Sequence, residues 1–409
     1  VHGMPYGAFP GCPDGLTSVH IYALFISLSM ICREDGCFVQ GQFSLRDLAT
    51  PPAFNSFILA FLKREIMFKK IVVGMLLLLI TFLVVLVVVN LSNATEPIPE
   101  TEVVHGAEVP ADDRPWWEAT TVYQVYPRSF QDSDGDGVGD IAGIISRLDY
   151  IADLGFETIW FSPFFKSPQK DFGYDVSDYY LPDPEYGDTL LVDSLIREIH
   201  KRDMKVVFDL VLNHTSEEHP WFKESRKSRD NPKSDWYLWR DGQGEDPPTN
   251  WHSALGMNGW HFDSGRQQWY FSSFLSFQPD LNWRNPEVKK AMFDVVRHWL
   301  DKGVDGFRLD IFNYIYEDPE FRDNPFSLRV VPTQDFTKMF WQEKKYTMNH
   351  ADDFALAKEL RDILDTYDPP RFMVGEVFGD HKTLRNFLGD QQDGLNLVFL
   401  FDISALEWD

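Results

Sequence analysis

Lys205-Val-Val-Phe-Asp209-Leu-Val211-Leu-Asn213-His214 is an apolar run that closes on polar residues. A short, nearly continuous apolar run of this kind suits a strand buried on both faces of a parallel sheet. Five more runs read the same way, at residues 121–126, 158–162, 304–309, 372–376 and 396–401. Amphipathic stretches lie between them, such as 141–154 and 190–202. In the first of these, Ile144, Ile145, Leu148, Ile151 and Leu154 recur at helical spacing. Strand–helix alternation predicts an α/β architecture with a parallel sheet. One interval breaks the rhythm. Between His214 and Pro286 about 70 residues intervene, rich in Trp, Asp, Pro and Gly, which is too long for a connecting loop. That interval predicts a small inserted domain over 215–285, after the third strand.

The composition supports a folded protein. Of 409 residues 44% are hydrophobic and 25% charged, which excludes wholesale disorder. Sixty-three acidic residues against 38 Lys plus Arg leave a formal charge of −25, a sign that repels phosphate backbones and excludes nucleic acid as a partner. All three cysteines (Cys12, Cys32, Cys37) lie near the N-terminus, so the rest of the chain holds neither a thiolate metal site nor a cysteine nucleophile. Thirteen Trp, 15 Tyr and 34 Phe supply many flat rings, which stack on apolar faces, including those of sugars.

Residues 71–89 form an apolar run broken only by Gly74 and Thr81. At about 1.5 Å per residue such a run spans a bilayer core. Lys63, Arg64, Lys69 and Lys70 precede it, and Glu96, Glu100 and Glu102 follow. The positive-inside tendency then keeps the N-terminus in the cytosol and exports everything beyond Val89. We expect an uncleaved signal anchor over 67–90, a linker over 91–112 and an extracellular or periplasmic catalytic part. Cleavage at Ser92-Asn93-Ala94 would instead release a secreted protein. Residues 1–66 carry no linked motif. Met67-Phe-Lys-Lys is how export signals begin, so 1–66 reads as upstream sequence translated from a mistaken start.

The chemistry sits at the strand ends. Asp209 to His214 closes the third strand, Gly306-Phe-Arg308-Leu-Asp310 the fourth and Val374-Gly-Glu376 the fifth. In a parallel α/β barrel these ends form one rim, so distant residues converge. Two carboxyls on one rim can act as nucleophile and acid on an acetal. Arg308 lies two residues before Asp310, on the same face of its strand, and a guanidinium there keeps the carboxylate ionised. Glu376 is expected among apolar surroundings that keep it protonated.

Six ordered stretches resemble the glycoside hydrolase family 13 enzymes (the α-amylase family), in particular the oligo-1,6-glucosidase and α-glucosidase branch. They are Tyr123-Gln-Val-Tyr-Pro-Arg-Ser-Phe, Gly173-Tyr-Asp-Val-Ser-Asp-Tyr, Asp209 to His214, Gln278-Pro-Asp-Leu-Asn-Trp283, Gly306 to Asp310, and Gly375-Glu376. The resemblance implies a (β/α)8 TIM barrel with its second domain inserted after strand three. It also implies exo-acting, retaining hydrolysis of α-1,4- or α-1,6-linked gluco-oligosaccharides through a covalent glucosyl-enzyme. On this resemblance Asp310 is the nucleophile, Glu376 the general acid/base and Arg308 the group that positions Asp310. Asp209 and His214 would contact the non-reducing glucose, Tyr174 would stack beneath it, Asp175 would hold it, and Gln278 would line the pocket wall.

Asp132-Ser-Asp134-Gly-Asp136-Gly-Val138-Gly-Asp140 is a second signal. Oxygen donors at alternate positions around a tight Gly turn, with the Val138 carbonyl among them, suit a hard cation. Enzymes of the resembled branch hold a structural Ca²⁺ there, or Mg²⁺.

The family also uses a His-Asp pair after the seventh strand and a later Arg that partners Asp175. Neither is found before Asp409. We therefore expect a barrel truncated after about six strands, poor folding and negligible turnover of residues 113–409 alone. Ile311, an aliphatic residue after the nucleophile, leans to α-1,6 linkages by the same resemblance. Two alternatives accompany the glucosidase reading. One is a transglucosylating or isomerising relative such as trehalose synthase. The other is a non-enzymatic heavy-chain subunit that pairs with an amino-acid transporter light chain.

Overall fold

The computed structural model describes residues 51–91 and 114–401, with side chains from residue 59. The chain divides into two units, Val1–Thr81 and Phe82–Asp409. The expected linker and most of the unassigned N-terminal segment lie outside the described residues. Helix α1 runs Pro51–Leu91, far longer than the anchor expected over 67–90. Pro51 and Pro52 suit a first helical turn, and no proline follows to end it before Leu91. Its large apolar side chains stand exposed, Leu78 at 73% and Leu91 at 77%.

The second unit is built on six parallel strands: β1 (Val122–Val125), β2 (Thr158–Phe161), β3 (Lys205–Val211), β4 (Gly306–Asp310), β5 (Phe372–Gly375) and β6 (Leu397–Val398). They pair in chain order from β1 to β6, the winding of a (β/α) barrel. Six strands of the expected barrel are thus in place. β3 and β4 are buried along nearly their whole length, which explains their continuous apolar character.

Each return to the sheet is made by a helix whose start is written in the sequence. Asp188 caps α2 (Thr189–His200), and Asn285 with Pro286 starts α3 (Pro286–Asp301). His350 caps α4 (Ala351–Leu364) in a reciprocal capping box with Asp353, and Asp380 caps α5 (His381–Leu388). Ile196 and Ile199 of α2 and Val295 and Trp299 of α3 face the sheet. There Phe161, Phe164, Phe165, Phe208 and Trp299 pack ring against ring.

Two expectations are corrected. The amphipathic stretch 141–154 is not one helix but two, Ile141–Ser146 and Leu148–Asp153, broken at Arg147 (φ −112°, ψ 4°). The sixth strand pairs over only two residues, because Phe399 and Phe401 turn their rings onto Trp160 and Phe378. Residues 51–66, which carry no linked motif, lie within α1.

The interval after β3 does form a separate layer, a three-stranded antiparallel sheet of Trp239–Arg240, Gln268–Phe271 and Trp260–Asp263. Leu238, Trp251, Trp260 and Phe271 make its core. Phe321 and Tyr346 pack on that core from a second excursion, residues 311–350, which strand–helix periodicity did not anticipate.

Candidate active site

Register brings the strand-end residues together. Asp209 on β3 lies opposite Arg308 on β4, and Arg308 lies opposite Val374 on β5. Asp310 and Glu376 each stand two residues further on, so strand alternation turns all four polar side chains to one side.

There a single guanidinium holds three carboxylates. Arg308 Nη1 donates to Asp310 Oδ1 at 2.6 Å and to both Asp209 oxygens at 3.0 and 3.2 Å, while Nη2 donates to Glu376 Oε2 at 2.6 Å. Asp310 and Glu376 therefore lie no further apart than one guanidinium and its hydrogen bonds. Trp160, Tyr174 and Phe399 surround the cation, their ring centroids 5.4, 5.9 and 5.9 Å from its central carbon. The Trp160 indole also donates to Asp209 at 3.2 Å. Trp160 and Phe399 escaped the sequence reading because a lone ring at a strand end looks the same as any core ring.

Burial pushes Asp310 well above the ordinary carboxylate range, with Arg308 pulling the other way. Asp209 is pushed up to about 6, again by burial against the pull of Arg308. Burial disfavours charge on Arg308 too, but its three carboxylates outweigh that and hold it protonated. Glu376 meets the same guanidinium. Its Oε2 accepts from Arg308 and, at 3.2 Å, from the backbone N–H of Ile311. Ile311 sits at φ 35°, ψ 46°, a left-handed conformation that costs a β-branched residue about 1–3 kcal/mol. That turn aims its amide at Glu376.

One cation against three carboxylates leaves excess negative charge once the cluster ionises. Such a field favours a sugar carbon that becomes positively charged, as in an oxocarbenium-like transition state.

The remaining predicted residues divide. Tyr174 belongs to the cluster, its hydroxyl 3.4 Å from Asp209 Oδ2. His214 is fully buried and pushed down to about 3, so it is neutral. Its Nδ1 lies 3.2 Å from the Asn213 amide nitrogen, which places the ring proton on Nε2, and Nε2 makes no regular hydrogen bond. Asp175 and Gln278 are not joined to Arg308. Asp175 accepts from Ser167 Oγ (2.8 Å) and from the backbone of Lys170 and Asp171, so it orders the loop after β2. Gln278 donates to Asp171 at 2.8 Å and ties that loop to the insertion. Asp171, the hinge of this network, carried no motif that marked it.

In the loop after β1, Asp132, Asp134 and Asp136 bring carboxylate oxygens within 4.8 Å of one another. The backbone N–H groups of Asp134, Gly135 and Gly137 turn toward Asp132 and wrap the loop around it. An all-oxygen set of this kind fits a hard divalent cation. Asp140, the expected fourth carboxylate, instead bonds Ser133 and caps the helix Ile141–Ser146, and Val138 uses its N–H on Asp136. His350 and Asp352, which mimic a family His-Asp pair, start α4.

The family described as alpha amylase, catalytic domain, matches residues 124–408. A probable alpha-glucosidase of Rhizobium meliloti (strain 1021) is 46% identical over 301 residues, covering 72% of this chain and 54% of the relative. An oligo-1,6-glucosidase of Parageobacillus thermoglucosidasius is 43% identical, covering 72% and 51%. Among solved structures, an alpha-glucosyl transfer enzyme superposes with a TM-score of 0.67 at 43% identity, covering 71% of this chain and 55% of that one. Bacillus licheniformis trehalose-6-phosphate hydrolase superposes with a TM-score of 0.66 at 36% identity, covering 72% and 51%. The chain spans about half the length of the curated relatives it matches.

Proposed function

The chain belongs to the alpha-amylase family, and from that premise we propose that the whole protein is an exo-acting, retaining α-glucosidase of gluco-oligosaccharides with α-1,4 or α-1,6 links. The observation that carries this reading is the shared guanidinium of Arg308, which hydrogen-bonds both Asp310 and Glu376. In this reading the Asp310 carboxylate attacks the anomeric carbon while Glu376 gives its proton to the departing glycosidic oxygen. A covalent glucosyl-Asp310 ester forms. Glu376 then takes a proton from water, which attacks the same carbon and frees α-glucose with configuration retained. His214 Nε2 and Tyr174 contact the sugar held there. Asp175 and Gln278 shape the pocket through the loop they order. Ile311 leans the preference to α-1,6 links. The alpha-glucosyl transfer enzyme among the structural relatives supports a second reading, in which a sugar hydroxyl replaces water in the last step.

The test is hydrolysis of p-nitrophenyl α-glucoside by the whole protein. We expect α-glucose as first product and loss of on the order of a thousandfold or more in Asp310→Asn, with Glu376→Gln accumulating a glucosyl adduct on Asp310. No hydrolysis by the folded protein, or a fully active Asp310→Asn, would sink the assignment and leave the transporter-subunit alternative.

The same reading extends to two further parts. Asp132, Asp134 and Asp136 would hold Ca²⁺, or Mg²⁺, as a structural ion. Residues 71–89 would anchor the protein with its catalytic part outside the cytosol, the length and exposed apolar character of α1 supporting the anchor.

A further inference from the structure

Beyond β4 the excursion 311–350 contains a hairpin whose surface differs from that of the rest of the chain. Within the second unit, Lys338–Met339 pairs antiparallel with Gln342–Glu343, and Trp341 exchanges backbone hydrogen bonds with Ser327 and Arg329 at 2.9 and 2.7 Å. These bonds hold residues 325–342 together as one piece. Phe326 is 71% exposed, Val331 57% and Trp341 40%. Phe326 and Trp341 stack on each other with centroids 6.2 Å apart and planes 11° apart, and so form one flat apolar platform.

Charge sets this segment apart as well. The protein carries 63 acidic residues, yet 325–342 holds a single one, Asp335, beside Arg329 and Lys338. Asp335 is occupied internally by the hydroxyls of Thr333 and Thr337. The hairpin's other carboxylate, Glu343, lies 4.0 Å from Lys338, and an apolar platform flanked by basic residues, its few carboxylates already engaged, is the composition of a surface that meets anionic lipid headgroups.

The last turns of α1 that belong to this unit fix where the platform stands. Phe82, Val84, Val87 and Val88 are all more than half exposed. Asn90, the first polar side chain after them, is bonded to the hairpin: its Oδ1 accepts from the backbone of Val330 (2.8 Å) and Val331 (3.1 Å), and its Nδ2 donates to the Leu328 carbonyl (3.1 Å). Asn90 marks the level at which an apolar helix leaves lipid for headgroups. Aromatic side chains concentrate at that level, because their rings stay apolar while their edges remain wet.

We propose that residues 325–342 are a docking surface for the phospholipid bilayer interface, in which Phe326, Val331 and Trp341 enter the headgroup layer and Asn90 sets their depth. This rests on the reading of residues 71–89 as a membrane span. Phe336, on the same hairpin, packs against Phe378 at 4.7 Å, two residues past Glu376, so docking also ties the catalytic rim to the membrane surface.

The test uses the full chain in vesicles of phosphatidylcholine with phosphatidylglycerol, with Cys12, Cys32 and Cys37 replaced by serine. A single cysteine carrying an environment-sensitive fluorophore is placed by Val331→Cys, Val84→Cys or Phe262→Cys, the last at an exposed position of the insertion. Lipid bearing a nitroxide near its headgroup should quench the probe at 331 about twofold or more and leave that at 262 unchanged. Adding Phe326→Ser with Trp341→Ser should return the 331 probe to the level of 262. Quenching at 84 without quenching at 331 would overturn the docking surface alone. No quenching at 84 would overturn the membrane span and the docking surface with it.

Discussion

Asp209 shows how much a single side chain's setting matters. Burial lifts its carboxyl from an ordinary value of 3.8 to about 6. In acid it is protonated whether the chain is folded or not. As the pH rises past 3.8 the unfolded chain releases the proton first, so folding is disfavoured progressively until about pH 6 and the full cost stands above that. A shift of this size corresponds to roughly 3 kcal/mol. Asp209→Asn cannot ionise, so the fall in unfolding free energy between pH 4 and pH 7 should shrink by on the order of 2–3 kcal/mol, read by denaturant titration at the two pH values. An unchanged pH dependence would mean that water reaches the carboxylate and that the Arg308 cluster is less dry than its geometry implies. Ile311 shows the converse, a backbone setting that no composition reveals. Its left-handed conformation turns the amide onto Glu376, and strain of this kind persists only where surrounding packing imposes it.

At the scale of elements, the loop after β1 combines two functions that sequence spacing merges into one. Asp132, Asp134 and Asp136 bring their carboxylate oxygens within 4.8 Å of one another, whereas Asp140 caps the next helix. The two roles separate experimentally. Calcium at about a hundred times its dissociation constant should stabilise the protein by about 2.7 kcal/mol, and a chelator should remove that gain. Asp134→Asn should abolish the calcium-dependent part alone. Asp140→Ala should cost about 1 kcal/mol whether or not calcium is present. Scanning calorimetry with and without chelator decides between them, and a calcium response that survives Asp134→Asn would place the ion elsewhere. The helices on the sheet were easier to read, since α2, α3 and α5 begin at the Asp, Asn or Asp that the sequence shows ahead of each apolar stripe. The hairpin 325–342 was not legible, because two-residue strands carry no period.

For the molecule as a whole, α1 exposes a continuous apolar surface over 71–89 that water penalises by about 25 cal/mol per Å². An alkaline carbonate wash should therefore leave the protein in the membrane fraction, and detergent should release it. Release by carbonate alone would reduce the segment to a peripheral contact. In sealed vesicles the globular unit should be open to protease from the exported side only, following the Lys63, Arg64, Lys69 and Lys70 cluster ahead of the span.

The sequence by itself determined the winding of the sheet and singled out the candidate trio of Arg308, Asp310 and Glu376. Each of these is written in local features: apolar runs, capping residues and an arginine two positions before an aspartate. Only the tertiary structure decided that one guanidinium binds all three carboxylates, that burial outweighs its pull on Asp310, and that Asp175 and Gln278 order a loop outside the cluster. Register between strands and exclusion of water from a rim are properties of residues about a hundred positions apart in the chain, and a charge feels its surroundings only after packing has removed the solvent.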